Sequence, residues 1–566
     1  MDSFSAKLIR WRWLVWTTLV FLCYANTFST PFIFDDLLGI IENQGIRHLW
    51  PLWNIMNVSP DETPWGRPIV GLSLAINYAV SGLNIWSYRL LNIFIHLSAG
   101  FIFYELVQTI LKKGAVPALF KQHAEAISFT CATLWLAHPL STTVTTYTIQ
   151  RAESLLALFY LTTLYFVVRS DEGKWFKIGA WCACATGMFT KEAMVTAPIA
   201  ALLLDKVVFP RTWTDLMKKR GLFYFSLFCT WGILAILMSR WPRAESVGFS
   251  GKFTSLEYFI LQWQIIVRYF HQALFPASLC LDYDWPRVTL REAWAYGAFL
   301  TTLGGISLWG YFKKPLLGFL GLFIFIVLAP TSSFIPVYTS VAAEHRMYLP
   351  LTAVIVLLVI GLFQFTQSWK EHVRNDARLF LSISCVLILC LLTFLRNDDF
   401  RSGVSIWRDV TLKQPENKRG WNYLGGMFYQ QANLPDAAYC FSRSTDLDPE
   451  YAEGLSNYGV VLAQQGFLQE GLEWLRRSEK LRPDRVQTQV NLGLFYFAAK
   501  DIQNSKIHYL KALQLVPNHP QANLNLGIIY MQEGKRAEAL RQVEKTLRAN
   551  PNYPGAAQLK EEWIHQ

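Results

Sequence analysis

The chain has 566 residues, of which 52% are hydrophobic and only 16% are charged, a balance that excludes a wholly soluble protein. Of the 52 Lys and Arg residues and the 41 Asp and Glu residues, 32 and 22 respectively precede Asn397, so nearly all of the net charge of +11 belongs to the first part of the chain. This distribution argues against a nucleic-acid-binding face and for loops that orient a membrane protein. Collagen-like, disordered and small disulfide-framework proteins are also excluded.

Long apolar runs fill residues 1–396 and predict membrane-spanning helices. The first run, 13–34, follows three basic residues and is similar to a secretory signal with cleavage near Ala25. We interpret it as an uncleaved span, because it continues past Ala25 through TFSTPFIF and about 20 apolar residues cross a bilayer. Ten further spans make eleven: 88–111, 122–140, 152–169, 177–190, 193–206, 221–240, 294–312, 315–330, 349–367 and 379–396.

The charges of the loops predict the orientation in the membrane. Nineteen basic residues fall in the short loops of one side, which the positive-inside rule makes cytoplasmic. An odd number of spans then leaves the N-terminus cytoplasmic and the C-terminal part external. The external loops are 35–87, 141–151, 241–293 and 331–348. Within them, 256–276 and 69–80 are predicted to lie in the membrane interface without crossing it.

The cysteines are predicted to act as small hydrophobic residues. Seven of the nine lie inside apolar runs: Cys23, Cys131, Cys182, Cys184, Cys229, Cys385 and Cys390. Cys182 and Cys184 have no second pair and no His nearby, which argues against a metal site.

A period of 34 residues marks the polar C-terminal part. Glycines and prolines keep this step: Gly425, Gly459, Gly493 and Gly527, with Pro415, Pro449, Pro483, Pro517 and Pro551. The pattern resembles the tetratricopeptide repeat, in which small residues let two antiparallel helices approach and prolines separate successive repeats. We expect a membrane domain at 1–396, a linker at 397–417, and four repeats with a capping helix at 418–566.

Ionisable residues at the border of a membrane are costly and are therefore candidate functional groups. At the external end of the first span, PFIFDD places Asp35 and Asp36 side by side, which suits a general base and an orienting or ion-binding carboxylate. A solvated helix end is the simpler interpretation of this dipeptide alone. Three further external loops contribute ionisable residues at the same depth: His138, Arg151, Glu153, Lys191, Glu192, Glu344, His345 and Arg346.

Cations opposite a carboxylate pair suit transfer from a lipid-borne phosphate. Arg and Lys hold the phosphate and stabilise the charge that it gains as a leaving group, and a carboxylate takes the proton of the acceptor hydroxyl. Taken singly, Arg151 or Lys191 could instead form a structural ion pair with the neighbouring Glu. It is the whole set that favours catalysis.

The order of the motifs resembles the transmembrane and tetratricopeptide-repeat O-mannosyltransferase family, within the GT-C superfamily of polyprenyl-phosphate-sugar-dependent glycosyltransferases. The motifs are FDD at 34–36, RP at 67–68, Asn92 with His96, HP at 138–139, RAE at 151–153, KE at 191–192, LFPASLCLDYDWP at 274–286 and AEHRMYLP at 343–350, followed by the repeats. The resemblance covers essentially the whole chain. It implies an all-α fold, in which a polytopic GT-C-like helical bundle precedes a tetratricopeptide α-solenoid.

The resemblance also implies roles for individual residues. In that superfamily an acidic residue at the start of the first external loop is catalytic or binds the acceptor; it maps onto Asp35 and Asp36, with Asp35 favoured as the base. The implied ligands of the donor phosphate are Arg151, Lys191 and Arg346, and the orienting or acceptor-side residues are Glu153, Glu192, Glu344, His345, His138 and Arg67. His345 stands where the family often has a second Arg, and the repeat array is short by family standards, which leaves the acceptor open.

The implied activity is inverting transfer of a sugar from a polyprenyl-phosphate donor to a protein or peptide acceptor held by the repeats, on the luminal or periplasmic face. Membrane lipids are expected partners and nucleic acid is not. The cofactor is unknown, since a divalent cation is compatible with the carboxylates but no metal motif is present. The expected location is the plasma (inner) membrane of a bacterium or the endoplasmic reticulum membrane of a eukaryote.

Two alternatives remain open. One is transfer of an oligosaccharide, or of a sugar to a lipid or polysaccharide. The other is a non-catalytic membrane anchor that presents a repeat scaffold, although an anchor has no reason to keep an external set of ionisable residues at membrane depth.

Overall fold

The structure, a computed structural model, describes residues 9–56, 63–209, 211–242, 253–337, 340–550 and 553–565. Within these residues the regular elements are helices, as an all-α fold requires. The chain divides into two compact units, residues 1–402 and 403–566. The segment 397–417, predicted as a linker, is largely helical, because it contains the end of one helix and the whole of Gly403–Lys413.

The first unit contains, in its described part, fourteen α-helices of ten or more residues. They are α1 Arg12–Tyr24, α2 Pro68–Ser81, α3 Trp86–Lys113, α4 Ala124–Leu136, α5 Arg151–Arg169, α6 Lys174–Met188, α7 Ala197–Val208, α8 Trp213–Cys229, α9 Trp231–Arg240, α10 Ser255–Leu274, α11 Leu290–Lys313, α12 Pro315–Leu328, α13 Pro350–Phe365 and α14 Glu371–Asp399. Short 3-10 and α-helical turns lie in the connections, including those that carry the candidate site.

The sequence explains where several of these helices begin. Pro68, Pro315 and Pro350 stand in the first turn, where a missing N–H costs no intrahelical hydrogen bond. Thr254 and Thr289 each cap a helix reciprocally with the Glu three residues later, which satisfies otherwise orphaned backbone donors. The starts of these five helices are therefore set locally.

Five helical segments of the described chain are long and apolar enough to cross a membrane: Trp86–Lys113, Thr148–Arg169, Trp213–Arg240, Pro350–Ser368 and Glu371–Asp399. The other predicted spans coincide with α1, α4, α6, α7, α11 and α12, which fall short of these limits of length or apolarity. A multi-pass membrane protein with about five candidate spans is thus supported, and a total of eleven remains a prediction.

The segment 256–276 forms α10, with one apolar face buried. Two glutamines on its polar side contact another loop. Gln272 is buried and donates to the hydroxyl of Tyr283 at 2.6 Å, and Gln264 accepts a hydrogen bond from the indole of Trp285 at 3.2 Å. The loop 279–285 therefore packs along the polar side of α10.

The second unit consists of ten helices within its described residues. They are α15 Gly403–Lys413, α16 Lys418–Gln430, α17 Leu434–Leu447, α18 Ala452–Gln464, α19 Leu468–Leu481, α20 Val486–Ala498, α21 Ile502–Leu515, α22 Pro520–Gln532, α23 Arg536–Ala549 and α24 Ala556–His565. Sequence neighbours pack in pairs. In one pair, a Cβ on Gly459 would lie 2.6 Å from the carbonyl oxygen of Gly471, so a larger residue would separate the helices. Pro551, a member of the predicted proline series, lies outside the described residues.

The last helix closes the repeat core, as a capping helix would. Trp563 of α24 is 5% exposed and lies in one apolar cluster with Ala539 and Val543 of α23. Arg536 donates hydrogen bonds to the carbonyls of Trp563 and Ile564, which satisfies acceptors at the end of α24.

Candidate active site

The predicted carboxylate pair lies beside the N-terminal end of α5. Phe34, directly before the pair, has a left-handed backbone with φ +49°, which costs free energy for a residue with a side chain. The two carboxylates have different surroundings: Asp35 is exposed, whereas Asp36 is 0% exposed. Neighbours in the sequence are therefore separated into an accessible and an enclosed carboxylate.

Asp36 binds the backbone that leads into α5. Its carboxylate accepts N–H groups from Ile149 at 2.7 Å and from Thr148 and Ile33 at 3.4 Å each. Burial raises the pKa of Asp36 to about 6, although the guanidinium of Arg89 and the backbone donors oppose the shift. Asp36 thus anchors one loop to the start of another.

Asp35 is oriented by Tyr147, a residue that the sequence did not single out. The backbone N–H of Asp35 donates to the Tyr147 hydroxyl at 3.0 Å. Burial, followed by the negative charges of Asp35 and Asp36, raises the pKa of Tyr147 well above its ordinary value, so the phenol stays protonated. A neutral hydroxyl therefore lies next to an exposed carboxylate, which is the residue type that accepts a proton in general base catalysis.

Arg151 lies in a fully buried polar network and is 0% exposed. It donates to the side-chain oxygens of Asn92 at 2.6 Å, Asn77 at 2.6 Å and Ser73 at 3.1 Å, and to the carbonyl of Tyr88 at 3.0 Å. These four bonds join α2, α3 and α5. They occupy the donors that a phosphate would need, which favours a positioning role over the predicted phosphate contact.

Arg151→Leu is expected to destabilise the protein, because the buried oxygens of Asn77 and Asn92 lose their donors at about 1 to 3 kcal/mol each. The thermal unfolding midpoint in detergent measures the loss. Arg169→Leu, at the other end of α5 and in a half-exposed ion pair, is the matched control and should change the midpoint little. Unchanged stability of Arg151→Leu together with weaker donor binding would support the phosphate contact instead.

Five predicted residues, Arg67, Glu153, Lys191, Glu192 and His345, form a second network, named here the ion-pair cluster. Lys191 donates to the carboxylate of Glu153, and Nη2 of Arg67 lies 2.8 Å from Oε2 of Glu192. Nε2 of His345 is 3.8 Å from Oε1 of Glu153. Lys191 therefore pairs with a Glu that is distant in the sequence, and not with the adjacent Glu192.

The cluster keeps hydrogen-bonding capacity. Lys191 has three N–H donors, of which Glu153 takes one. The Nε of Arg67 is buried and has no hydrogen-bond partner among the described residues, while its Nη1 donates to Thr63 at 3.1 Å. Arg67 and Lys191 are thus the predicted cations best able to accept another anion.

The electrostatics of the cluster favour an anion. Burial, then the positive charges of Lys191, Arg346 and Arg67, lower the pKa of His345 well below its ordinary value, so the imidazole is neutral at pH 7. Burial also lowers the pKa of Lys191, and Glu153 opposes that shift. With His345 neutral, the cluster itself holds two cations, Arg67 and Lys191, against two carboxylates, and Arg346 outside the cluster adds a further positive charge that acts on the same site.

Glu344 and Arg346 hold the loops at 279–285 and 331–348. The carboxylate of Glu344 is 2% exposed and accepts hydrogen bonds from the Cys280 backbone and from Tyr283. Arg346 donates to the carbonyls of Thr331 at 3.2 Å and Val341 at 3.0 Å, and to that of Ser340. Both residues thus fix loop structure, although the charge of Arg346 still acts on His345.

His138 is placed apart from the ion-pair cluster. Its Nδ1 accepts the backbone N–H of Leu140 at 3.2 Å, which leaves Nε2 to donate to the carbonyl of Ala273, also at 3.2 Å. The ring is 3% exposed and joins the end of α4 to α10. This arrangement uses both ring nitrogens for structure.

Arg89 was missed by the sequence analysis. It is 1% exposed and donates to Thr148 at 2.8 Å, Thr30 at 2.9 Å and the carbonyl of Thr146. Its position in the sequence could have indicated a structural role, because an arginine just inside a predicted span is costly unless it has buried partners. Asn92 and His96, quoted only as a motif, bond to Thr145 and Tyr348 and are likewise structural.

Within the described residues, no three His, Cys, Asp or Glu side chains are grouped closely enough to hold a metal ion. The neighbours of the predicted carboxylates are backbone donors, cations and hydroxyl groups.

These features define a helical membrane protein with tetratricopeptide repeats and a buried ionic site. Tetratricopeptide repeat models match residues 392–452, 430–486 and 496–562. The human protein O-mannosyl-transferase TMTC3 is 23% identical over 498 residues, which covers 76% of this chain and 51% of that protein. Human TMTC4, also described as a protein O-mannosyl-transferase, is 23% identical over 473 residues, which covers 72% of this chain and 62% of that protein.

This chain is a distant homologue of the TMTC-type protein O-mannosyl-transferases over most of its length, which confirms the resemblance seen in the motifs. It spans about half the length of the human and mouse TMTC3 proteins. Among solved structures, the tetratricopeptide protein TTC0263 of Thermus thermophilus is similar at 19% identity with a TM-score of 0.27, covering 31% of this chain and 95% of that one.

Proposed function

We propose that this protein transfers a single sugar from a polyprenyl-phosphate donor to a hydroxyl of a protein acceptor, on the external face of a membrane. The observation that carries the proposal is the separation of the carboxylate pair into an exposed Asp35 and an anchored Asp36, beside the helix whose first turn holds Glu153 of the ion-pair cluster. The homology to protein O-mannosyl-transferases supports the same class of reaction.

Asp35 is the proposed general base. Its carboxylate takes the proton of the acceptor hydroxyl while the hydroxyl oxygen attacks the anomeric carbon from the face opposite the phosphate. The bond between that carbon and the phosphate oxygen breaks, and the configuration inverts. Asp36 keeps the loop of Asp35 against the start of α5 through the N–H groups of Thr148 and Ile149.

Lys191 and Arg67 are the proposed ligands of the donor phosphate. The phosphate diester carries one negative charge and gains a second when polyprenyl phosphate leaves, so cations held in a largely buried site stabilise the products of bond cleavage more than the bound donor. Glu153 and Glu192 hold the two cations in place. Arg151 and Arg346 position the surrounding loops and act through their positive charge, since neutral oxygens already accept hydrogen bonds from their guanidinium groups.

The membrane orientation belongs to the same proposal. With the N-terminus cytoplasmic, the loops that contain Asp35, Arg67, Glu153, Lys191 and His345 all lie on the external side, and a lipid donor can keep its tail in the bilayer while its head reaches them. The repeats, which follow the last span, are external as well.

The repeats are proposed to capture the acceptor polypeptide and raise its concentration near Asp35. Ending the chain after Ser402, at the boundary of the two units, should abolish transfer to the natural protein acceptor and leave transfer to a short peptide at high concentration within about threefold. Radiolabelled sugar incorporation measures both. Equal loss of both activities, at an unchanged amount of membrane unit, would show that the repeats support the membrane unit itself.

The direct test of the proposed function is an assay of the purified protein with a panel of polyprenyl-phosphate monosaccharides. We expect one sugar to be transferred to a hydroxyl-bearing peptide and polyprenyl phosphate to be released in equal amount. Release of the donor lipid with none of these monosaccharides, by protein that is folded and membrane-inserted, would favour the scaffold or the oligosaccharide alternative.

A further inference from the structure

Two cysteines that are far apart in the sequence lie in contact within the membrane unit. Cys23 is at the end of α1 and Cys390 is in α14, and their Sγ atoms are 2.9 Å apart. Cys23 is 1% exposed and Cys390 is partly exposed. Both are free thiols in the structure, and neither takes part in the ion-pair cluster.

Two hydrogen bonds next to the pair, one donated from each partner segment, fix how the end of α1 and α14 meet. Nδ2 of Asn397 donates to the carbonyl of Cys23 at 2.8 Å, and Nδ2 of Asn26 donates to the carbonyl of Phe394 at 3.0 Å. The backbones around the two sulfurs are therefore held in register. A disulfide has an S–S distance of about 2.0 Å, so closing the bond requires an approach of only about 1 Å.

We propose that Cys23 and Cys390 form a disulfide that joins the first helix of the membrane unit to the last. Cys390 lies nine residues before the end of α14, about 14 Å along the helix axis. Cys23 precedes Asp35 by twelve residues. In the proposed orientation, on which this inference rests for its compartment, Cys390 lies in the external half of the last span and Cys23 lies near the middle of the first, and the external side is oxidising in bacteria and in the secretory pathway.

The chemistry is thiol–disulfide exchange with a small disulfide or with a thiol oxidoreductase in its disulfide form. The more accessible Cys390 attacks the oxidant as a thiolate, which forms a mixed disulfide and releases one thiol. Cys23 then attacks Sγ of Cys390 and releases the second thiol. The two cysteines are oxidised, the oxidant is reduced to two thiols, and the exchange occurs as the two helices assemble, before Cys23 is enclosed.

The bridge would stabilise a part of the molecule connected to the site. Asn397, one of the residues that fix the register, also accepts a hydrogen bond at 2.6 Å from Thr146, which precedes Tyr147. Tyr147 contacts Asp35. A covalent link between α1 and α14 therefore limits the movement of the loop that orients the proposed base.

The test counts thiols in the full-length protein. Membranes are quenched with acid, denatured and treated with polyethylene glycol maleimide, which adds a visible mass for each free thiol. Of the nine cysteines, we expect seven to react before reduction and nine after it. Cys23→Ala and Cys390→Ala should each show eight both before and after reduction. Cys385→Ala, an exposed position on the same helix, is the matched control and should show six before and eight after.

Nine reactive thiols in the unreduced wild-type protein would overturn the proposal. So would a Cys23→Ala variant that still gains two thiols on reduction, because another pair would then be oxidised. Sugar transfer is measured on the same membranes to distinguish the two proposals. A protein that has nine free thiols and still transfers sugar would contradict the disulfide and leave the proposed function intact.

Discussion

Replacing Asp35 by Asn is expected to lower sugar transfer by a factor of about 10² to 10⁴, the usual cost of losing a general base. A carboxamide has the shape of the carboxylate but does not take up the proton of the acceptor hydroxyl. Because Asp35 is exposed, the substitution should leave the amount of folded protein unchanged. Turnover per folded molecule, with the purified protein and a lipid-linked donor, is the measurement.

Two further variants locate the effect. Glu42→Gln changes an exposed carboxylate seven residues later in the same loop and should keep normal turnover. Asp36→Asn should instead reduce the folded fraction, because its new N–H group faces the backbone donors of Ile149 and Thr148. Near-normal turnover by Asp35→Asn would move the base elsewhere, with Asp36 as the first candidate.

The double variant Lys191→Met with Glu153→Gln should lower kcat/KM for the lipid donor by about 10² to 10³, because the leaving phosphate loses a preorganised cation. Both partners are changed together, since removing one member of a buried pair leaves an uncompensated charge and destabilises the fold. Donor dependence of the rate, at equal amounts of folded protein, gives the value.

Asp205 and Arg220 supply the matched control for this variant. They form a buried pair at 2.5 Å in α7 and α8 and do not touch the ion-pair cluster. Arg220→Met with Asp205→Asn should change stability by a similar amount and leave kcat/KM per folded molecule nearly unchanged. Equal losses in the two double variants would mean that the Lys191 pair acts only on the fold.

The periodic and apolar patterns predicted the helical fold because each is a local property of the sequence. The 34-residue step of the glycines reflects close helix pairs, and the contact between Gly459 and Gly471 illustrates it. The same patterns support five candidate spans, and the total of eleven stays a prediction. Apolar runs such as 177–190 and 193–206 are clear in the sequence, but their helices α6 and α7 have only 15 and 12 residues.

The sequence singled out the charged residues of the ion-pair cluster but not the partners that they take. Glu153 and Lys191 are 38 residues apart, and their pairing depends on how α5 packs against the segment before α7. The partners of Arg151 could not be predicted either, because its acceptors Asn77 and Asn92 are uncharged and lie on two other helices. Motif order suggests candidate residues, whereas tertiary packing determines their contacts.

The left-handed backbone of Phe34 gives Asp35 and Asp36 different surroundings. Which residue occupies the exposed position and which the enclosed one depends on the number of residues that precede them. Adding one residue between Pro31 and Phe34 would move Phe34 into the exposed position and Asp35 into the enclosed one, and Asp36 would move past both. Such a chain would keep both acids, the same composition of charges and the same local hydropathy, yet lose the division of labour between them. The structure therefore requires a fixed length of this short stretch more strictly than it requires the presence of two acidic residues.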